Sequence, residues 1–248
     1  MSFKEKNIII TGGSGLLGNQ IIIDLLGKNA NCINLDIMPH NNNYNENIDY
    51  YKCDVTSEKK VNDTLSLILK KYGKIHGLVN AAYPRTNDWT KPINKIPLES
   101  WKKNIDYQLN SCFQITRIIC DFMKQAKGGS VVNIASIYGV IGPDFSIYEE
   151  SDFTSPAPYS AIKGGIISFT RYLASYYGKY NLRINTISPG GIFDNQDKNF
   201  VKKYINKVPL GRMGNPEDIS KSVLFLLSEN SSYITGQNLI IDGGLTIT

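Results

Sequence analysis

The stretch Asn7–Gly18, NIIITGGSGLLG, decides the fold of this chain. Its first part, Asn7–Thr11, is a short apolar run that predicts a buried β-strand, and a helical pattern over Leu17–Lys28 follows. Glycines at such a junction let the backbone approach a pyrophosphate, whose charge is stabilised by the free N–H groups of the helix N-terminus. An ordinary strand-to-helix turn is the alternative. The position of the glycine-rich turn directly after the first buried strand favours a phosphate site. The residues expected to bind the phosphates are Gly12, Ser14, Gly15, Leu17 and Gly18.

The rest of the chain alternates short apolar runs with longer segments of three-to-four-residue periodicity. This alternation indicates parallel strands joined by crossover helices, and continuous apolar runs are typical of strands covered on both faces. The predicted strands are Asn7–Thr11, Asn31–Asp36, Gly77–Ala81, Ser130–Ala135, Arg183–Ser188 and Leu239–Asp242. The predicted helices beyond the first are Ser57–Tyr72, Leu98–Lys124, Tyr159–Tyr177 and Pro216–Leu227.

These elements predict an α/β fold, a Rossmann-type doubly wound parallel sheet flanked by helices. The 248 residues are enough for one full core, and neither an internal repeat nor a linker divides them. Residues 1–248 are therefore expected to form a single domain. The asparagine-rich stretch Asn41–Asn47 lacks apolar periodicity and is interpreted as a surface loop.

Composition excludes several classes of protein. No apolar run is long enough to span a membrane, and 42% hydrophobic with 20% charged residues is an ordinary globular balance. The net charge of +5 comes from Lys and Arg spread along the chain, which favours a small anionic ligand over nucleic acid. The cysteines lack CxxC spacing and do not cluster with the two histidines, so we expect reduced thiols in the cytoplasm and no bound metal. They are Cys32, Cys53, Cys112 and Cys120.

The choice of dinucleotide depends on Asp36, at the end of the second predicted strand. Its carboxylate is placed to accept hydrogen bonds from the adenosine ribose hydroxyls. Ile37 follows, and the glycine turn contains no Lys or Arg that would neutralise a 2′-phosphate. NAD is therefore favoured over NADP as the cofactor. The alternative is that Asp36 merely begins a turn.

Tyr159 and Lys163 are four residues apart at the start of a predicted helix and therefore share one face. A tyrosine hydroxyl, with an ordinary pKa of about 10, is a poor base at neutral pH unless a nearby cation stabilises the phenolate. We expect Lys163, the helix N-terminus and a cationic nicotinamide to lower the pKa of Tyr159 together. Ser136 follows the predicted strand Ser130–Ala135 at the edge where ligands bind in such sheets. It is placed to hydrogen-bond a substrate oxygen.

An ordered set of motifs resembles that of the short-chain dehydrogenase/reductase family over essentially the whole chain. In chain order the motifs are TGGSGLLG, CDV, VNAA, NIAS, YSAIK, RINTISPG, PLGRMGNPEDIS and TGQNLIIDGG. The resemblance implies an NAD(P)-dependent dehydrogenase or reductase that forms a dimer or tetramer. The chain is also similar in general character to a subgroup associated with flagellin modification and nonulosonic acid sugar pathways.

The resemblance also implies roles for individual residues. Tyr159 would be the general acid/base, Lys163 would hold the ribose hydroxyls and tune the tyrosine, and Ser136 would orient the carbonyl. Further cofactor contacts are implied beside the adenine, the ribose and the nicotinamide. In that order they are Asp54 and Val55, then Asn80, Ala81 and Ala82, then Pro189, Gly190 and Ile192.

The chain departs from the family pattern at several positions. Leu16 stands where short members usually keep a glycine, and this spacing is more like that of the longer sugar-nucleotide epimerases and dehydratases. Gln108 replaces a helical asparagine that anchors a water for proton relay. Its amide has the same donors and acceptor, so we count it among the catalytic residues, with a plain helix position as the alternative. Tyr83 replaces a glycine and Asp194 a threonine, either narrowing specificity or reflecting drift in a tolerant loop.

Tyr159 follows Ser136 by 23 positions, a longer interval than is usual in the family. The extra segment, roughly Pro143–Pro158, contains several acidic and aromatic residues. Because both of its ends are predicted to be catalytic, it must pass close to the reacting centre. We expect it to contact the substrate, with a solvated insertion or an oligomer contact as the alternative.

Three functions remain open from the sequence. The favoured one is an NAD-dependent oxidoreductase that moves a hydride between nicotinamide and a hydroxyl or carbonyl group, with a sugar derivative as the expected small-molecule substrate. The second is a sugar-nucleotide epimerase or dehydratase that reduces and reoxidises NAD within one turnover. The third is a non-catalytic dinucleotide-sensing scaffold. The helices Leu98–Lys124 and Tyr159–Tyr177 are expected to build a homodimer or homotetramer, because apolar residues spread over more of the second helix than one sheet covers.

Overall fold

The computed structural model describes residues 2–39, 48–151 and 153–248. Its strands are β1 (Asn7–Thr11), β2 (Asn31–Asp36), β3 (Ile48–Lys52), β4 (Gly77–Asn80), β5 (Gly129–Ile134), β6 (Leu182–Pro189) and β7 (Asn238–Ile241). They form one parallel sheet in the order β3-β2-β1-β4-β5-β6-β7. The chain builds outward from β1 to β3 and then crosses to the other side of β1. The predicted single-domain, doubly wound parallel sheet is confirmed.

Helices connect the strands and cover both faces of the sheet. They are α1 (Leu16–Leu26), α2 (Glu58–Tyr72), α3 (Leu98–Ile105), α4 (Ser111–Gln125), α5 (Ala157–Tyr177), α6 (Lys198–Ile205) and α7 (Pro216–Leu227). Among the residues described, none of these helices is both long and apolar enough to cross a membrane.

The core lies on both sides of the sheet, which explains the continuous apolar runs in the sequence. In β1, Ile9 packs into a cluster with α2, α4 and α5, whereas Ile8 and Ile10 pack on the opposite face with α1 and α7. Alternate side chains of a strand point to opposite faces, so burial of both faces favours apolar residues at consecutive positions.

Two elements were not predicted. The strand β3 has the sequence IDYYK and lies at the edge of the sheet, where its side chains are half-buried or exposed and no continuous apolar run is required. The helix α6 has only eight residues and packs mainly through Phe200 and Tyr204. The loop predicted over Asn41–Asn47 lies outside the described residues.

The prediction of one continuous helix over Leu98–Lys124 was wrong. A π-helical turn at Asp106–Asn110 separates α3 from α4. One extra residue enters the turn there, and Gln108 points into the protein interior with 4% exposure. Hydrophobic periodicity alone does not register a single inserted residue, because apolar positions continue on both sides of it.

Helix ends differ from the predictions by up to two residues. The helix α5 begins at Ala157 rather than Tyr159, because Pro158 fits the first turn, where its missing N–H is not needed. This start leaves Tyr159 in the first turn and Lys163 one turn further along. At the same edge of the sheet lie the carboxyl ends of β1, β2, β4, β5 and β6, and this edge carries the candidate site.

Candidate active site

The structure brings Ser136, Tyr159 and Lys163 together at the carboxyl edge of the sheet. Ser136 follows β5 and is 6% exposed, while Tyr159 and Lys163 share one face of α5. The Ser136 Oγ accepts a hydrogen bond from the Tyr138 N–H at 3.2 Å. The Ser136 O–H remains available as a donor beside Tyr159.

The expected lowering of the Tyr159 pKa is not found in the chain alone. Burial raises the pKa of Tyr159 above its ordinary value, and the hydrogen bond from Ser136 lowers it only in part. The Lys163 ammonium lies over the tyrosine ring, 5.4 Å from its centroid, and contacts the ring face. The neutral phenol is therefore the favoured form of Tyr159 in the chain without cofactor. The predicted lowering of its pKa also involves the positive charge of a bound nicotinamide, which these contacts do not include.

Lys163 is an almost fully buried cation. Its Nζ donates to the Ile134 carbonyl at 3.0 Å, and it lies 5.6 Å from the centroid of the Tyr83 ring. Burial lowers the pKa of Lys163 to about 8. An ammonium with one carbonyl partner keeps two further donor protons, which is the donor capacity that ribose hydroxyls require.

The Lys163 pKa predicts how stability depends on pH. The unfolded chain holds this proton up to about pH 10.5 and the folded chain only to about pH 8, so the folded state gains stability as the pH rises between these values. Relative to Lys163→Met, the unfolding free energy of the wild type is expected to increase by roughly 3 kcal/mol across that range. Urea unfolding of both proteins below and above this window measures the change. A difference that stays constant with pH would show that the ammonium is not desolvated.

The glycine turn between β1 and α1 is shaped by close backbone contacts. Gly12 has φ +69°, and a Cβ there would lie 2.6 Å from Ala82 Cα. A Cβ on Gly18 would overlap the Gly12 carbonyl oxygen. At Gly12 the turn is therefore pressed against the segment after β4, and a side chain there would force the two apart, whereas a side chain at Gly18 would distort the turn itself.

The same turn fits a pyrophosphate. At the start of α1, Gly15 offers no side chain to cap the helix, and the first turn contains no acidic residue. The nearest atom to a Cβ on Gly15 would be the Gly12 oxygen at 3.3 Å, so the space above the helix N-terminus is open. N–H groups aimed at an open space suit an anion. Ser14 and Leu17, also predicted to contact the cofactor, flank this opening and are half-buried.

Asp36 lies beside the glycine turn, as its position at the end of β2 predicts. Its carboxylate accepts the Ser14 N–H and the Met38 N–H, each at 3.0 Å. Ser14 Oγ in turn donates to the Met38 carbonyl at 2.9 Å. Two backbone donors fix the carboxylate, and the remaining lone pairs of its oxygens are available to ribose hydroxyls.

The other predicted cofactor residues line the same edge. Asp54 follows β3 and accepts hydrogen bonds from the N–H and hydroxyl of Thr56, and the neighbouring Val55 is buried. The Asn80 amide donates to Thr116 and Asn133 at 2.8 Å, so this side chain braces β4 against β5 and α4. Ala81 and Ala82 follow it, half-buried, and Pro189, Gly190 and Ile192 lie at the end of β6.

Gln108 is buried within the π-helical turn, against α5. Within the described part of the chain, neither polar atom of its amide has a hydrogen-bond partner. A buried amide with both ends unsatisfied is costly unless a water fills the gap. This state fits the predicted water-anchoring role of Gln108.

An aromatic cluster around Tyr159 was only partly foreseen. The rings of Tyr83, Trp89 and Tyr138 meet the Tyr159 ring edge-to-face, with centroids 5.8, 6.0 and 6.5 Å away. The sequence drew attention to Tyr83, whereas Trp89 and Tyr138 carry no pattern of their own. The cluster fixes the Tyr159 ring and removes water from around it. Asp194, the other singled-out substitution, is exposed.

The extra segment after Ser136 packs on α6. Its Tyr148 and Phe153 contact the Phe200 ring, with centroids 5.5 and 5.2 Å away. Lys207, just beyond α6, forms an ion pair with Asp144 at 2.5 Å. Tyr138 and Tyr148 share a hydroxyl–hydroxyl hydrogen bond at 3.0 Å. The insertion therefore connects the aromatic cluster around Tyr159 to α6.

Comparison with known proteins agrees with this geometry. A family model described as enoyl-(acyl carrier protein) reductase matches residues 34–246. A crystal structure of a short-chain dehydrogenase from Leptospira borgpetersenii with bound NAD+ is 37% identical with a TM-score of 0.92, covering 99% of this chain and 94% of the other. The post-translational flagellin modification protein A of Campylobacter coli is 31% identical, over 97% of this chain and 98% of that protein. A 3-oxoacyl-[acyl-carrier-protein] reductase of Chlamydia pneumoniae is also 31% identical, over 97% of each chain.

The fold and the site define an oxidoreductase that uses a nicotinamide cofactor. The chain belongs to the short-chain dehydrogenase/reductase family.

Proposed function

We propose that this protein is an NAD-dependent dehydrogenase or reductase in which Tyr159 exchanges a proton with the oxygen of a hydroxyl or carbonyl substrate. The observation that carries the proposal is the Tyr159 hydroxyl itself, enclosed by aromatic rings beside the Ser136 hydroxyl, at the edge of the sheet where the glycine turn opens. When bound, the nicotinamide supplies or accepts the hydride. The chain supplies the proton and the geometry.

The proton step follows from the state of Tyr159. In carbonyl reduction, Ser136 donates a hydrogen bond to the substrate oxygen and Tyr159 passes its proton to that oxygen as the carbon gains the hydride. The raised pKa keeps Tyr159 protonated at neutral pH, which suits the acid role. Alcohol oxidation runs the same step backwards and needs the phenolate, so its rate is expected to rise with pH. Initial rates in both directions over a pH series test this.

We propose NAD rather than NADP as the cofactor, because the fixed Asp36 carboxylate favours ribose hydroxyls and repels a 2′-phosphate. In calorimetric titrations NAD+ is expected to bind at least about tenfold more tightly than NADP+, and Asp36→Ala should narrow this ratio. Asp54→Ala, which removes another carboxylate from the same edge, is the matched control and should keep the preference. Equal or tighter binding of NADP+ by the wild type would contradict the assignment.

A sugar derivative is the proposed class of substrate. The support is the similarity to the Campylobacter coli flagellin modification protein. The glycine spacing shared with sugar-nucleotide epimerases keeps a second candidate, in which NAD is reduced and reoxidised within one turnover. Net consumption of NADH by a carbonyl substrate supports the first function, and sugar conversion without it supports the second. We place the reaction in the cytoplasm, because all four cysteines are buried free thiols.

We also propose a homodimer or homotetramer built on α4 and α5. Phe113, Tyr172 and Tyr176 of these helices are 47%, 65% and 51% exposed. Large aromatic side chains at such positions are typical of buried oligomer contacts. Sedimentation at micromolar concentration is expected to show a multiple of 27.7 kDa. A pure monomer would contradict this proposal, and a shift to monomer in Tyr172→Glu would locate the interface.

A further inference from the structure

The segment after β4 places an aromatic ring against the candidate catalytic tyrosine. Tyr83 is 39% exposed, and its ring meets the Tyr159 ring edge-to-face at 5.8 Å. Its hydroxyl accepts a hydrogen bond from Trp89 Nε1 at 2.8 Å, and Lys163 Nζ lies 5.6 Å from its ring centroid. Contacts from three sides fix the ring, so Tyr83 forms a rigid wall of the site.

Arg85 lies on that wall. Its guanidinium carbon is 5.1 Å from the centroid of the Tyr83 ring, a cation–π contact. The Tyr83 centroid is in turn 5.8 Å from the centroid of the Tyr159 ring. The Arg85 guanidinium carbon therefore lies at most about 11 Å from the Tyr159 centroid. A cation held at a fixed distance from the reacting atoms is able to orient a substrate.

Arg85 has no carboxylate partner among the residues that the structure describes. The nearest acid along the chain, Asp88, accepts hydrogen bonds from the hydroxyls of Thr86 and Ser100 at 2.6 and 2.7 Å. These hydrogen bonds hold the pKa of Asp88 below its ordinary value and tie the carboxylate to its own turn and to α3. Most of the guanidinium donors therefore remain available to a ligand.

Two acids of the insertion, Asp144 and Glu150, are paired with lysines rather than with Arg85. Asp144 pairs with Lys207, and Glu150 lies 3.6 Å from the ammonium of Lys203 on α6. Lys203 also donates to the Glu149 carbonyl. The carboxylates of Asp144 and Glu150 are thus engaged with lysines of α6 and the residues after it.

We propose that Arg85 binds an anionic group of the substrate, a carboxylate or a phosphate, while the Tyr83 ring supports the part of the substrate between that anion and Tyr159. The planar guanidinium matches the two oxygens of either anion. Arg85 is thus a specificity-determining residue. The inference rests on the proposed function, because it concerns the substrate of that site.

The test is a set of calorimetric titrations on the full chain saturated with NADH, which fills the cofactor phosphate site and prevents oxidation of the probes. The probes are methyl glucoside, glucose 1-phosphate and the methyl glycoside of glucuronate, which are neutral, phosphorylated and carboxylated. The wild type is expected to bind at least one charged probe about tenfold or more tightly than the neutral one. The charged probe that binds more tightly identifies the anion.

Variants assign this preference to one side chain. Arg85→Gln is expected to abolish the preference, and Arg85→Lys to retain only part of it, because an ammonium offers no planar pair of donors. Lys95→Gln removes an exposed cation from the same connection and should leave the preference unchanged. Equal affinity for the three probes, absence of binding at millimolar concentration, or a full preference in Arg85→Gln would overturn the inference. Failure to bind NADH in the first step would instead contradict the proposed function.

Discussion

Replacing Tyr159 with phenylalanine is expected to lower kcat by about 10²- to 10⁴-fold, the usual contribution of a positioned proton donor. The substitution removes one oxygen and leaves the ring that packs against Tyr83, Trp89 and Tyr138. Stability and NAD affinity should therefore stay close to those of the wild type. Steady-state rates with a hydroxyl or carbonyl substrate, together with thermal unfolding, measure both parts of the expectation.

Tyr138→Phe is the matched control for this experiment. It deletes a half-buried tyrosine hydroxyl from the same cluster, one that bonds to the Tyr148 hydroxyl and is not assigned a part in proton transfer. Its kcat should remain within a few-fold of the wild type. If Tyr159→Phe kept near-normal turnover, or if both variants lost activity equally, the proton-transfer role of Tyr159 would be wrong.

Gly12→Ala is expected to destabilise the fold by about 3 kcal/mol or more and to abolish NAD binding. The backbone at Gly12 has φ +69°, which disfavours a side chain, and the new Cβ would lie 2.6 Å from Ala82 Cα. Relief of that overlap moves the glycine turn away from the end of β4. Thermal unfolding with and without NAD+ records the loss of stability and the loss of the ligand-induced shift.

Gly15→Ala distinguishes an effect on cofactor binding from an effect on the stability of the fold. Its backbone angle is ordinary and its Cβ would meet only the Gly12 oxygen, at 3.3 Å. The variant should unfold near the wild-type temperature, yet bind NAD+ more weakly, because the methyl group occupies the space above the helix N-terminus. Unchanged NAD+ affinity in Gly15→Ala would show that the pyrophosphate does not lie there.

Local sequence patterns predicted the strands that are buried on both faces of the sheet. Three consecutive isoleucines, Ile8 to Ile10, occur in β1 because both faces of the sheet are covered, and such an apolar run can be recognised in the sequence. The edge strand β3, with its exposed positions, leaves no such mark. The π-helical turn around Gln108 escaped prediction because one inserted residue does not alter the apolar spacing on either side.

In the candidate site, too, some residues could be predicted from the sequence and others could not. Ser136, Tyr159 and Lys163 could be placed together because each lies at a fixed position relative to the end of a strand or the start of a helix. The surroundings of Tyr159 could not, because Trp89 reaches it from a loop with no periodic pattern, and its contacts join distant parts of the chain. The predicted lowering of the Tyr159 pKa by Lys163, the helix N-terminus and a cationic nicotinamide did not include burial in this cluster, which raises that pKa in the chain without cofactor.

The central claim is transfer of a hydride between nicotinamide and substrate at Tyr159. Its most direct test uses NADH deuterated at the transferable position, in both isomers, with a panel of ketones and aldehydes that includes sugar derivatives, and mass spectrometry of the products. The account predicts one deuterium in each product molecule from one isomer only, with one NADH consumed for each product formed, and loss of this transfer in Tyr159→Phe. Products without deuterium from either isomer, or products formed without net oxidation of NADH, would contradict it.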